Sequence, residues 1–252
     1  MALILILSSF CGILPIALWL IFFLWQDIKK PEPLRWIGFL FLLGMAITPL
    51  VWLLENYFIN VLQIDINAVL PFFLSAFIYL IVAGIEECAK FFSASLFLRK
   101  NKYFDEAIDA MIYLIVLGLG FGVVENILIS YQEISAGGHF LSTFQITTLR
   151  FIGANLLHAL SCGLIGFFWA LRLVTGKKKY LGIGLALGIL LHWVFNIAII
   201  NLGGDAVFLV SLILFLVGIV ILCAFDVLKG IKKPIIINNK YQNGRKNKFR
   251  RC

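Results

Sequence analysis

Long apolar runs alternate with short polar breaks along almost the whole chain. A helix that crosses the hydrocarbon core of a bilayer needs about 20 mostly apolar residues. Seven stretches meet that length, at 3–25, 35–58, 68–98, 107–131, 147–173, 180–201 and 206–228. The third is too long for a straight crossing, which predicts tilt, a break or an extension beyond the membrane. The first has no basic leading segment, and QDIKK follows it where a signal peptide would carry small residues, so it reads as an uncleaved span. The pattern predicts an all-α polytopic transmembrane bundle of about seven spans, with one domain over 1–228 and a polar tail over 229–252.

Composition agrees with the pattern. The chain is 62% hydrophobic and only 13% charged, against about a quarter charged in soluble domains. Almost nothing is left over for a soluble domain. Lys and Arg then predict the orientation, because short loops rich in them stay cytoplasmic. Lys29, Lys30 and Arg35 flank the first break, Arg99, Lys100 and Lys102 the third, and Arg172 with Lys177, Lys178 and Lys179 the fifth. The intervening breaks at 59–67, 132–146 and 202–205 hold none, and Arg150 stands just inside the fifth span. This alternation predicts an N-out, C-in topology with a cytoplasmic C-terminus. The tail supplies nine of the 21 cations; each near an anionic headgroup contributes about 1 kcal/mol to membrane attraction. Few aromatics and no recognisable module accompany it, so nucleic acid is not an expected partner. The five cysteines are scattered without a CxxC pair, which argues against a disulfide framework or a zinc–thiolate site.

Ionisable groups at bilayer depth cost about 2.5–3.5 kcal/mol each on insertion scales and therefore face a protein interior or a wet cavity. The chain places Glu86, Glu87 and Lys90 in the third span, Glu125 and Asn126 in the fourth, His158 in the fifth, and His192 and Asn196 in the sixth. At 1.5 Å per residue, Glu86, Glu87, Glu125, His158 and His192 all lie about 17–28 Å from the cytoplasmic boundary, close enough to share one layer. Lys90 is three residues from Glu87 and four from Glu86, so it can compensate one carboxylate and leave the other to act. Asn155 falls on the face of His158. Asp109, Glu55 and Asp226 stand near span ends and read as interfacial. Gly118, Gly120 and Gly122 favour close helix contact within a span.

Carboxylates and imidazoles from four helices suit several chemistries. A buried glutamate with a raised pKa could serve as general base toward water, with His and Asn donating to an oxyanion. His158 and His192 with a carboxylate could instead ligate zinc, although no HExxH is present. A proton-coupled transporter or channel would also carry buried acids, and buried ion pairs can simply bind helices together. No inverted repeat supports the transporter.

Four motifs in one order carry a resemblance to a known family. EExxK stands as Glu86-Glu87-Cys88-Ala89-Lys90, and FxxxEN as Phe121-Gly122-Val123-Val124-Glu125-Asn126. His158 follows in LLHAL, and HxxxN stands at His192 to Asn196; Asp109 matches an acidic residue ahead of the FxxxEN helix. From Ala83 to Asn196 the chain resembles the PrsW family of intramembrane proteases, within the CAAX prenyl protease and bacteriocin-processing superfamily. Ala110 departs from the glycine common in relatives, and the first two spans and the tail match no motif. The resemblance implies a catalytic core over about 68–201 that hydrolyses a peptide bond of a single-span membrane protein, such as an anti-sigma factor, in a bacterial plasma membrane. It implies Glu86 and Glu87 as base, His192 as partner, and Glu125, His158 and Asn196 completing the pocket, with Lys90, Asn126 and Asp109 in support. Superfamily members are described both with and without metal. The expectation is glutamate chemistry with no cofactor, zinc being the alternative. A peptide bond must be reached unhelical, which predicts a lateral or outward cleft.

Overall fold

The computed structural model describes residues 13, 16–62, 64, 70–99, 101–202 and 206–231. Its elements are α1 (Ile16–Asp27, closing in a 3-10 turn), α2 (Leu34–Val61), α3 (Phe72–Leu98), α4 (Asp109–Ser135), α5 (Phe140–Arg150), α6 (Leu156–Thr175), α7 (Lys179–Leu202) and α8 (Ala206–Lys229). No strand occurs among the described residues. Among the described residues six stretches are long and apolar enough to cross a membrane, with α5 and α6 forming one of them over Phe140–Thr175. Most of the predicted first span and nearly all of the basic tail lie outside the described residues, so only α1 of that span is seen.

Local chemistry explains where the helices begin. Pro33 and Pro71 stand at the N-caps of α2 and α3, where a missing N–H leaves no bond unmade. α3 therefore starts at Phe72 and is shorter than the 68–98 expected. α5 starts seven residues before the expected 147: the His139 N–H donates to Ser142 Oγ at 3.1 Å, and that hydroxyl donates back to the His139 carbonyl at 2.9 Å.

α4 forms the centre of the bundle. Of its most apolar stretch 72% is buried, against 22% for α8, so α4 is surrounded by other helices and α8 stands at the edge of the described bundle. Glycines permit this crowding. A Cβ on Gly120 would collide with the Phe41 carbonyl of α2, and one on Gly44 would collide with the Leu117 carbonyl of α4. On the opposite side, a Cβ on Gly118 would lie 2.6 Å from Cys162 Sγ of α6. Without a hydrophobic drive between helices in lipid, such close backbone approach supplies the packing.

Between α5 and α6, residues Phe151–Asn155 form a turn of π-helix. Trp19 of α1 anchors this turn, donating from Nε1 to the Phe151 carbonyl at 3.0 Å.

Candidate active site

α3, α4, α6 and α7 bring Glu86, Glu87, Lys90, Glu125, His158 and His192 to one place. Lys90, with no exposure, donates to Glu86 Oε2 at 3.0 Å and to Glu87 Oε1 at 2.8 Å. It thus bridges both carboxylates, whereas the spacing had suggested that it compensates one. The i,i+3 and i,i+4 positions lie on either side of the lysine stem, and a fully buried ammonium has no water to satisfy its third proton. That third bond runs to His158 Nδ1 at 3.0 Å. Nδ1 therefore accepts, so His158 carries its proton on Nε2 and donates to Glu125 Oε2 at 2.9 Å. The Phe121 ring lies 4.2 Å from the ammonium and adds a cation–π contact.

His192 completes the group. Its Nδ1–H donates to Glu87 Oε1 at 2.8 Å, which leaves the Nε2 lone pair facing Glu86 Oε1 at 3.8 Å. The two imidazoles meet edge to face with centroids 5.4 Å apart. Glu87 is fully enclosed, and its Oε2 has no hydrogen-bond partner. Glu86 retains a little exposure and is the less constrained carboxylate.

Two residues outside the expected set join this site. Arg150, read in the sequence as a boundary cation, donates from Nη2 to Glu125 Oε2 at 2.8 Å and from Nε to Asn126 Oδ1 at 2.6 Å. Glu55 was expected at an interface. Because α2 continues to Val61, Glu55 stands one turn past Val51 on the buried face of Thr48 and Val51, within electrostatic reach of Glu86 and Glu125. Its Oε1 is buried and has no hydrogen-bond partner. Asn155 lies beside His158, both flanking Gly122, and neither polar atom of its side chain has a partner. Asn196 is half-buried one turn beyond His192 and makes no hydrogen bond to the group. Asp109, also expected at an interface, is fully buried at the start of α4, where the backbone N–H groups of Asp105 and Glu106 hold its Oδ2 at 2.9 and 2.7 Å. It belongs to a different cluster from the glutamates and histidines.

The donor set fits a metal ion. One ligand atom from each of Glu86, Glu87, His158 and His192 lies within 4.8 Å of the other three, and all four residues are buried. Two imidazoles and a carboxylate are the donors that catalytic zinc takes. With neutral histidines, the two glutamates exceed Lys90 by one negative charge, and the ammonium already marks where a cation is held.

Exposure rises toward Glu125 and Arg150, whose side chains are 23% and 16% accessible. Arg150 also lines a cavity of about 350 Å³ bounded by the π turn, α7 and α8, with Gly153, Phe195 and Val210 among its walls. Its walls are apolar, and Arg150 is their one charged residue.

Comparison with known proteins agrees with the motifs. The chain is 27% identical over 190 residues to Protease PrsW of Clostridioides difficile, covering 73% of this chain and 76% of that protein. It is 28% identical over 188 residues to Protease PrsW of Geobacillus kaustophilus, with the same coverage. No solved structure matches it. A family model described as PrsW family intramembrane metalloprotease matches residues 32–223, which include every residue of the site; the chain belongs to the PrsW family and is a membrane peptidase.

Proposed function

We propose that the chain is a metal-assisted intramembrane endopeptidase whose metal would be held by His158, His192 and Glu87, with Glu86 beside it as the base. The convergence of those four buried donors within 4.8 Å carries the reading, and it favours the zinc alternative over glutamate chemistry alone. A divalent ion bound there polarises a carbonyl oxygen and makes water acidic enough to attack near neutral pH. Glu86, the carboxylate with a free Oε1, takes the proton from water as the oxygen adds to the peptide carbonyl. It returns that proton to the amide nitrogen as the C–N bond breaks, leaving a carboxylate and an amine. Glu87 is held by Lys90 and His192 and keeps His192 in its Nδ1–H form. Glu125 accepts from the other ring nitrogen of His158 and keeps that imidazole in its Nε2–H form. Arg150 spends two of five N–H groups on Glu125 and Asn126, and the rest are available to a substrate carbonyl or the developing oxyanion. Asn196, one turn from His192, supports the substrate backbone.

The substrate in this reading is a single-span membrane protein such as an anti-sigma factor, entering beside the π turn. In this reading the chain falls within the wider CAAX prenyl protease superfamily and sits in a bacterial plasma membrane, and the Lys and Arg alternation supports a cytoplasmic C-terminus. The purified chain in detergent, mixed with single-span substrates, tests the assignment together with its metal content. Wild type should cleave and carry about one zinc per chain, and His192→Ala should lose both. Cleavage that persists in protein shown by elemental analysis to hold no metal would overturn the metal and restore the glutamate-only chemistry.

A further inference from the structure

A second group of acids lies away from the glutamates and histidines, where the α1–α2 turn meets the start of α4. One carboxylate oxygen from each of Asp27, Glu32 and Asp109 lies within 4.8 Å of the other two. Asp27 is 8% exposed and Asp109 not at all, yet Asp27 Oδ2 and Asp109 Oδ1 are both buried without a hydrogen-bond partner. Their surroundings hold these oxygens in place without satisfying them. Asp109 Oδ2 is fixed by two backbone N–H groups, and Glu32 Oε2 accepts from the Tyr113 hydroxyl, which Asn101 in turn contacts at 3.3 Å. The nearby cations are turned elsewhere. Lys30 pairs with Asp105 and Glu106 at 3.3 and 2.9 Å, and Lys229 with Asp226 at 3.1 Å. Among the described residues no ammonium or guanidinium forms an ion pair with Asp27, Glu32 or Asp109. Two buried carboxylate oxygens without a hydrogen-bond partner, on members of a three-carboxylate cluster, are costly unless a cation or a proton joins them.

We propose that Asp27, Glu32 and Asp109 form a site for a hard divalent cation of the magnesium or calcium class, which clips the α1–α2 turn to the start of α4. An all-oxygen, carboxylate-only donor set selects hard ions, in contrast to the imidazole-containing site deeper in the bundle. The crowding is visible in the acid strengths: burial pushes the Asp27 carboxyl up to about 7, with the charges of Glu106 and Glu32 adding to it, and burial also raises Glu32. The clip acts on α4, the helix that carries Glu125 and Asn126.

The full chain in detergent, stripped with chelator and titrated with Ca2+ and separately with Mg2+, tests the site by calorimetry. Wild type and His192→Ala should each bind one such ion per chain. Asp27→Asn and Glu32→Gln should weaken binding by more than the roughly 10–100-fold that loss of an outer-shell partner gives, while unfolding at the same or a higher temperature without the ion, since each removes a buried negative charge. Hydrogen exchange on wild type alone gives a second reading: the ion should protect the amides of Asp105 and Glu106 and leave α7 unchanged. Binding lost in His192→Ala but kept in Asp27→Asn would place the ion at the other site and overturn the proposal. Absence of both heat and protection with either ion at millimolar concentration would overturn it as well, leaving the acids to share a proton.

Discussion

Arg150 and His158 share a single oxygen of Glu125, at 2.8 and 2.9 Å, from opposite ends of one π turn. Eight residues apart on a regular α-helix they would point about 80° apart. The wider turn over Phe151–Asn155 removes part of that offset and lets both reach α4. The bond between Arg150 and Asn126 makes the contact a fork that lysine cannot reproduce. Arg150→Ala should lower peptidase activity by roughly 10–100-fold, with Arg150→Lys recovering only part. Cleavage of a single-span substrate by the two variants measures this, and equal activity in wild type and Arg150→Ala would remove Arg150 from the site.

The buried ammonium of Lys90 sets a second test. Breaking a buried ion pair by removing one partner costs about 3–5 kcal/mol, because the other charge is left unpaired. Lys90→Met leaves Glu86 and Glu87 facing each other with no cation between them. The chelator-stripped variant should unfold well below stripped wild type, and zinc should narrow the gap by supplying positive charge to the same oxygens. Thermal unfolding followed by circular dichroism with and without zinc reads both effects. A gap that zinc leaves untouched would mean that the ion does not reach these carboxylates.

How much of this was legible in the sequence differs residue by residue. Glu86, Glu87, His158 and His192 stand out because an ionisable group inside an apolar run has few places to go. Their helical spacing and depth were enough to expect a shared layer. Arg150 was not legible: only the π turn, which has no sequence signature here, aims it at Glu125 rather than at the boundary. Glu55 was missed because it stands near the end of α2, and element ends are where pattern reading is weakest. Asp109 was read as interfacial from its position. The chain folds the backbone of Asp105 and Glu106 over it, a long-range consequence of the 99–108 connection that no local pattern encodes.

The glycine contacts between α2 and α4 predict a sharp contrast. A methyl on Gly120 would press on the Phe41 backbone, which cannot move aside like a side chain. Gly120→Ala should destabilise by about 1–3 kcal/mol. Gly84→Ala adds the same methyl where nothing lies within 4 Å, and should stabilise by about 0.5–1 kcal/mol through the helix preference of alanine. Unfolding temperatures of the two variants in one detergent should therefore move in opposite directions.

Asn155 separates function from stability. Both polar atoms of its side chain are buried without partners next to His158, and a buried unsatisfied group costs about 1–3 kcal/mol. Asn155→Leu keeps the number and branching of the side-chain heavy atoms and removes that cost, so the variant should unfold at a higher temperature. If the amide serves the reaction, peptidase activity should fall in the same protein. A stabilised variant with full activity would reduce Asn155 to a packing residue.

Asp27 gives the chain a pH dependence whose sign is fixed by the direction of its shift. Its carboxyl, ordinarily at 3.8, is pushed up to about 7 by burial and by Glu106 and Glu32, with Lys30 and Lys229 opposing. Asp109 joins the cluster from the start of α4. Between those two pH values the folded chain holds a proton that the unfolded chain has released, so raising the pH removes stability. With divalent ions chelated, the unfolding temperature should fall as pH rises from about 4 to about 7, and Asp27→Asn should show a shallower decline, with the other two carboxyls of the cluster supplying the remainder. A hard cation competes with the proton for the same oxygens, so its affinity should weaken as pH drops through that window. Unfolding temperature against pH for wild type and Asp27→Asn decides the point; superimposable curves would show that Asp27 ionises as freely in the folded chain as in the unfolded one.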